Sequence, residues 1–189
     1  MKTMLTPKMN TVPRLIIYSQ KFVSKKYGPM IQYNMADTIT GEFAGKMYAR
    51  PVMEDFFSPY YPTLGCYKSF KIEYIQTEET NQGYGRAFIK LAKAESRKHG
   101  CEGRVHLDAS RIYTPTRPPH IFYRKCDFTS VYTDRIKYID ECIKEHKEMH
   151  WSMADNLPMY LSLESENPQK VKIYSKLLNF VKKVRNIFK

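Results

Sequence analysis

The chain is 189 residues long, enough to bury the core of one domain, and carries 31 Lys and Arg against 19 Asp and Glu, a net charge of +12. No apolar run is long enough to cross a bilayer, residues 1–12 lack the apolar block of a secretory signal, and the four cysteines (Cys66, Cys101, Cys126, Cys142) form no C-x-x-C pair. These features argue against a membrane-spanning protein and against a zinc site, and they favour a cytoplasmic chain with reduced thiols.

Residues 1–13 show no pattern and read as a loose arm. Residues 14–19 form a short strand on Leu15, Ile16, Ile17 and Tyr18, and residues 20–27 read as helical until Gly28 and Pro29 stop them. Residues 31–39 and 42–49 make a hairpin across Thr40 and Gly41. Residues 51–68 are an aromatic loop with Phe56, Phe57, Tyr60, Tyr61 and Tyr67, which packs over a sheet edge or lines a pocket. Then Phe70, Ile72 and Tyr74 alternate with Lys71, Glu73 and Ile75, the period of a half-buried strand.

The segment Gln82-Gly83-Tyr84-Gly85 is a turn, and from Arg86 the pattern is helical, with Ala87, Phe88, Leu91 and Ala92 on one side. Gly100 stops this helix, after Arg97, Lys98 and His99, which suit the negative end of its dipole. Residues 104–109 are a strand, and the prolines of residues 111–119 exclude regular structure there. Residues 120–125 are a short helix behind Pro119, and Asp127 suits a left-handed turn. Residues 133–150 are a helix with Ile136, Ile139 and Ile143 on one stripe; His146 and His150 then share a face, but the Glu of a zinc-protease motif is out of place, so they read as surface histidines. Residues 159–163 are a closing strand.

A glycine turn that opens a helix offers unpaired backbone N–H groups and a favourable dipole to an anion, and Arg86 adds a charged donor. The dinucleotide pattern G-x-G-x-x-G fails at Phe88, and no G-x-x-x-x-G-K-[ST] segment is present. The stretch Gln82-Gly83-Tyr84-Gly85-Arg86-Ala87 resembles the R/Q-x-x-G-x-G/A signature of the Gcn5-related N-acetyltransferases, the GNAT family. The segment Ile121-Phe122-Tyr123-Arg124-Lys125-Cys126-Asp127-Phe128 is similar to that family's F-Y-x-K-x-G-F segment, with Asp127 in place of its glycine. The order and spacing of the two, with a strand before and another between, cover residues 31–128.

The resemblance implies an α/β fold, an α+β mixed sheet of GNAT type, over residues 1–166. It implies acetyl transfer from acetyl-CoA to a primary amine, with no metal. Main-chain groups near Ile75 and Thr77 would hold the pantetheine arm, and Gln82, Gly83, Tyr84, Gly85, Arg86 and Ala87 the pyrophosphate. Tyr123 would protonate the leaving thiolate, and Glu73 is a candidate base, with Asp108 and His120 as alternatives. Gly85→Glu is expected to abolish cofactor binding without unfolding the chain. Only thirty residues precede the first hairpin, where the family places a strand and two helices, so the acceptor wall is reduced. This keeps open a second reading, a GNAT scaffold that binds coenzyme A as a sensor or structural ligand.

Residues 167–189 form a separate basic tail. After Glu166 there are seven basic residues and no acidic one, and Ile173, Leu177, Phe180, Val181, Val184, Ile187 and Phe188 share one helical face. Such a helix docks on its own domain or on a second subunit in a homodimer; the sharper alternative is contact with an anionic membrane surface or RNA.

Overall fold

The computed structural model describes residues 14–54, 67–112 and 118–161. Its strands are β1 (Leu15–Ser24), β2 (Gly28–Asp37), β3 (Phe43–Glu54), β4 (Tyr67–Thr77), β5 (Val105–Ala109), β6 (Phe128–Thr129) and β7 (Leu157–Leu161). The helices are α1 (Tyr84–Lys98), α2 (His120–Arg124) and α3 (Thr133–Lys144), with a 3-10 turn at Trp151–Met153. The seven strands form one mixed sheet in the order β1-β2-β3-β4-β5-β7-β6. Only β4 and β5 run parallel, as the helical crossover between them requires; the other neighbours are antiparallel.

The hydrophobic pattern sets which face α1 covers. Tyr33, Met35, Met47, Ala49, Phe70 and Ile72 alternate along β2, β3 and β4 and are buried together with Phe88, Ile89 and Ala92 of α1. Each large side chain so buried contributes about 1.5–3 kcal/mol relative to exposure. Helix α1 opens at Gly83, in the left-handed region at φ 83°, and ends before Gly100 at φ 70°, where the sequence places its stop. The hairpin across Thr40 and Gly41 forms as expected, and Asp127 takes the left-handed turn at φ 69°.

Residues 20–27 are not helical. Strand β1 runs on to Ser24, with every residue opposite one of β2, from Leu15 against Asp37 to Ser24 against Gly28. Lys25, Lys26 and Tyr27 make the turn, and the Ser24 hydroxyl accepts the Lys26 and Tyr27 N–H groups at 3.3 Å. The polar residues Gln20 and Lys21 suit a helix by propensity, but ten paired positions outweigh it. Only the three-residue turn Lys25–Tyr27 joins β1 to β2.

Helix α3 is shorter than its pattern. It ends at Lys144, and His146 has φ 55°, so His146 and His150 do not share a helical face. His150 instead pairs its Nδ1 with the Ser152 hydroxyl at 2.7 Å. The boundary at residue 166, the aromatic residues 56–61 and the basic tail lie outside the described residues.

Candidate functional site

The sheet comes apart at its centre. Strands β4 and β5 pair only at Phe70 with Val105, Lys71 with His106 and Ile72 with Leu107. Beyond that point β5 pairs with β7 on its other side, at Asp108 with Pro158 and Ala109 with Leu157. Strand β4 continues with β3 alone. The divergence coincides with a bulge: Tyr74 faces Tyr48 and Ile72 faces Ala49, which leaves Glu73 as the extra residue. A bulge raises the local twist and turns the strand away from its neighbour. From Glu73 to Thr77, one edge of β4 thus has no strand partner among the described residues.

Two helices stand at the mouth of this split. Seven residues after Thr77, α1 begins, and its first turn carries no side-chain cap. Its N-terminal amides are the anion-attracting end of a helix of 15 residues. Helix α2 arrives from the end of β5, and His120 on it donates from Nε2 to the Asp155 carbonyl at 3.0 Å, next to the start of β7. The two helices touch: a Cβ on Gly85 would lie 2.7 Å from the Phe122 ring, and Arg86 donates to the Lys125 carbonyl at 3.4 Å. Gly85 is therefore held small by Phe122, so Gly85→Glu would disturb this junction as well as any anion site. Gly83 has no atom near its Cβ position and is the cleaner place to add a charge.

Tyr123 packs between Phe122 and Phe128, with ring centroids 5.2 and 5.6 Å away. Burial raises its phenol pKa to about 12, with the Cys126 thiol adding to the shift, so the hydroxyl stays protonated at neutral pH. It hydrogen-bonds to no described residue. Glu73 accepts from Arg50 Nε at 2.9 Å and its side chain is only 9 % exposed, so the candidate base is an ion-paired carboxylate. Asp108 is more open and pairs with Lys71 at 3.1 Å. His120 is fully buried; its Nε2–H bond leaves Nδ1 as the unprotonated nitrogen, and burial lowers its pKa. It has no path to solvent and cannot meet an amine substrate directly. Ile75 and Thr77 lie on the unpaired stretch of β4, where their main chain, rather than their side chains, faces the split.

A second cluster supports the turn. The Asp37 carboxylate, 1 % exposed, accepts the Ile39 N–H at 2.9 Å, the Arg14 guanidinium at 3.0 Å and the Tyr84 hydroxyl at 2.9 Å. Arg14 also reaches the Gln82 side chain at 3.3 Å. So Gln82 and Tyr84 of the motif are tied to the first hairpin beside a cavity of about 150 Å³, which Glu42, Glu78 and Glu79 also line. The sequence reading missed Asp37; its place just before a Thr-rich turn, where Asp commonly caps the backbone, was the available signal. The Ile39 N–H, with Arg14 and Tyr84, holds the Asp37 pKa below the usual carboxylate range against the opposing effect of burial. A depressed acid stabilises the fold above its unfolded pKa of about 4, and this contribution fades as pH falls through the folded value. Urea melts between pH 3 and 7 should show Asp37→Asn less stable at pH 7, with the difference shrinking on acidification. A constant difference across that range would remove Asp37 as a source of acid sensitivity.

The described residues hold no cluster of His, Cys, Asp and Glu placed for a metal ion, and Cys101, Cys126 and Cys142 are buried thiols. No described helix is long and apolar enough to cross a membrane. The chain has a mixed α/β fold with a seven-stranded sheet and few helices. No protein-family model matches it, and no curated protein matches its sequence. Among solved structures, it is similar to a bacterial toxin at 11% identity and a TM-score of 0.45, over 72% of this chain and 69% of that one. It is also similar to Chaetomium thermophilum Naa20, solved in complex with a bisubstrate analogue, at 14% identity and a TM-score of 0.43. That likeness covers 70% of this chain and 66% of Naa20.

Proposed function

We propose that the protein is a GNAT-type N-acyltransferase that moves an acetyl group from acetyl-CoA to a primary amine. The observation that carries this reading is the split beside the bulge at Glu73, with the two GNAT-like motifs at its mouth. The unpaired main chain of β4 from Glu73 to Thr77 offers donors and acceptors to an extended amide-bearing chain, as a neighbouring strand would. The uncapped start of α1, from Gly83 to Ala87, with Gln82 and Arg86 beside it, suits a pyrophosphate. Acetyl-CoA would supply the activated thioester.

The chain's residues divide the remaining work. Main-chain N–H groups of β4 hydrogen-bond the thioester oxygen as negative charge develops on it. Tyr123 gives its phenol proton to the departing thiolate, a role suited to a phenol that burial keeps protonated. The attacking amine must be neutral, although a lysine-like amine titrates near 10.4. Glu73, bound to Arg50, and Asp108, bound to Lys71, are the carboxylates near the split that can take its proton. In an assay series, Asp108 is the more accessible of the two.

Calorimetry with acetyl-CoA tests the reading. The wild-type chain should bind with micromolar affinity, and Gly83→Glu should weaken binding at least about tenfold, since it sets a negative charge against the α1 N-terminus. The added side chain meets open space, so its cost is the positive φ alone, about 1 kcal/mol. A folded wild-type chain that does not bind acetyl-CoA would end the proposal. Binding without thiol release against a panel of amines would favour the sensor or structural-ligand reading.

A further inference from the structure

We propose that the outer edge of β1 pairs with the same edge of a second copy of this chain, in an antiparallel dimer about a twofold axis at Ser19. This goes beyond acetyl transfer and does not depend on it. Strand β1 ends the sheet on one side and β6 on the other. Strand β6 has two residues, too few to hold a partner, whereas β1 has ten and pairs with β2 alone among the described residues. The devices that keep a strand edge single are missing from β1. It has no proline, its register with β2 runs without a shift, and it carries one charge, Lys21. Large apolar side chains stand exposed on both of its faces, Ile16, Tyr18 and Phe22 on one and Val23, 78% exposed, on the other.

The register with β2 fixes which groups face outward. The Thr38 N–H donates to the Arg14 carbonyl at 2.7 Å, one step beyond the pair of Leu15 and Asp37. Hydrogen-bonded pairs alternate along an antiparallel ladder, so Ile16, Tyr18, Gln20, Phe22 and Ser24 bond to β2. Leu15, Ile17, Ser19, Lys21 and Val23 therefore turn their N–H and C=O groups out of the sheet edge. With the axis at Ser19, Leu15 meets the partner's Val23, Ile17 meets the partner's Lys21, and the two Ser19 residues meet each other. All the outward groups are then bonded, through about ten hydrogen bonds, the usual number for a specific interface. An axis at Gln20 would instead set Leu15 against Lys25, outside the strand. The closer positions between these pairs bring Ile16 against the partner's Phe22 and Tyr18 against the partner's Gln20. Lys21 faces no other charge. This self-match, in a single register, favours a second copy over an unrelated extended peptide. The pairing is isologous and stops at two chains. It joins two seven-stranded sheets edge to edge, and β1 lies three strands from β4, so both splits stay open.

The test uses the full chain. In sedimentation over about 1–100 µM, the mass should rise from 22.4 kDa to twice that value and stop there. Ser19→Pro removes an outward N–H and no bond to β2, so it should stay monomeric throughout. The Ser19→Lys, Val23→Lys double variant changes two exposed positions and sets lysine against lysine across the axis. Its dissociation constant should rise at least about tenfold, which keeps the edge testable if the proline variant does not fold. Hydrogen exchange read by NMR locates the contact. The Ile17 and Lys21 amides should exchange at least about tenfold more slowly in the wild-type dimer than in the double variant, while those of Ile16 and Phe22, bonded to β2 in both, stay within about twofold. A wild-type chain that is monomeric at about 100 µM, as an edge kept for another protein would give, overturns the proposal. So does a dimer that both variants leave intact, a dimer that protects Ile17 and Lys21 no better than the monomer, or assembly that grows past two copies.

Discussion

Tyr123→Phe is expected to lower turnover about 100-fold, while acetyl-CoA affinity stays within about twofold. The phenol is packed by Phe122 and Phe128, so removing one oxygen leaves the ring contacts in place. What is lost is the proton donor, in a site where burial raises the phenol pKa to about 12. Thiol release under saturating substrates, beside calorimetry, separates the two quantities. Equal turnover in both proteins would take Tyr123 out of the mechanism, while a parallel loss of affinity would make it a packing residue.

Gly45→Ala is expected to destabilise the fold by about 4 kcal/mol, the sum of backbone strain and overpacking. Gly45 has φ 153°, and it faces Thr77 across the β3–β4 ladder. A Cβ there would collide with the Gln76 carbonyl oxygen, and would sit 3.0 Å from Thr77 Cα and 3.2 Å from the Phe88 ring. Two of these neighbours are backbone and the third is a fully buried ring, so none of them yields cheaply. For a chain of this size the melting temperature should drop by about 10 °C. A melt within about 2 °C of wild type would show that β3 can shift, and the close approach would lose its structural importance.

Much of this fold was legible because local pattern and tertiary role agreed. The alternation from Phe70 to Tyr74, the Gly83 turn, the apolar side of α1 and the proline before α2 each gave one signal, and each forms as read. Residues 20–27 misled because Gln20 and Lys21 face water on an edge strand, where neither hydrophobic alternation nor propensity marks a strand. The bulge at Glu73 was invisible, since an extra residue shows only against its partner strand. Glu73 was singled out by its position on the motif strand, yet its tie to Arg50 depends on β3, twenty-three residues earlier in sequence. Phe122 against Gly85 is likewise a contact between two motifs, and neither motif alone announces it.

The three residue pairs that join β4 to β5 are also a narrow seam in the hydrogen-bond ladder. Strands β1 to β4 form a meander whose contacts are close in sequence, whereas β5, β7 and β6 depend on pairings across about thirty to fifty residues. So narrow a seam transmits little of the ladder's cooperativity from one half to the other. Helix α1, which touches β3, β4 and β5, is what rivets the halves together. Any motion of the N-terminal meander against the C-terminal strands is therefore expected to concentrate about Phe70–Ile72, where it would widen or narrow the gap between them.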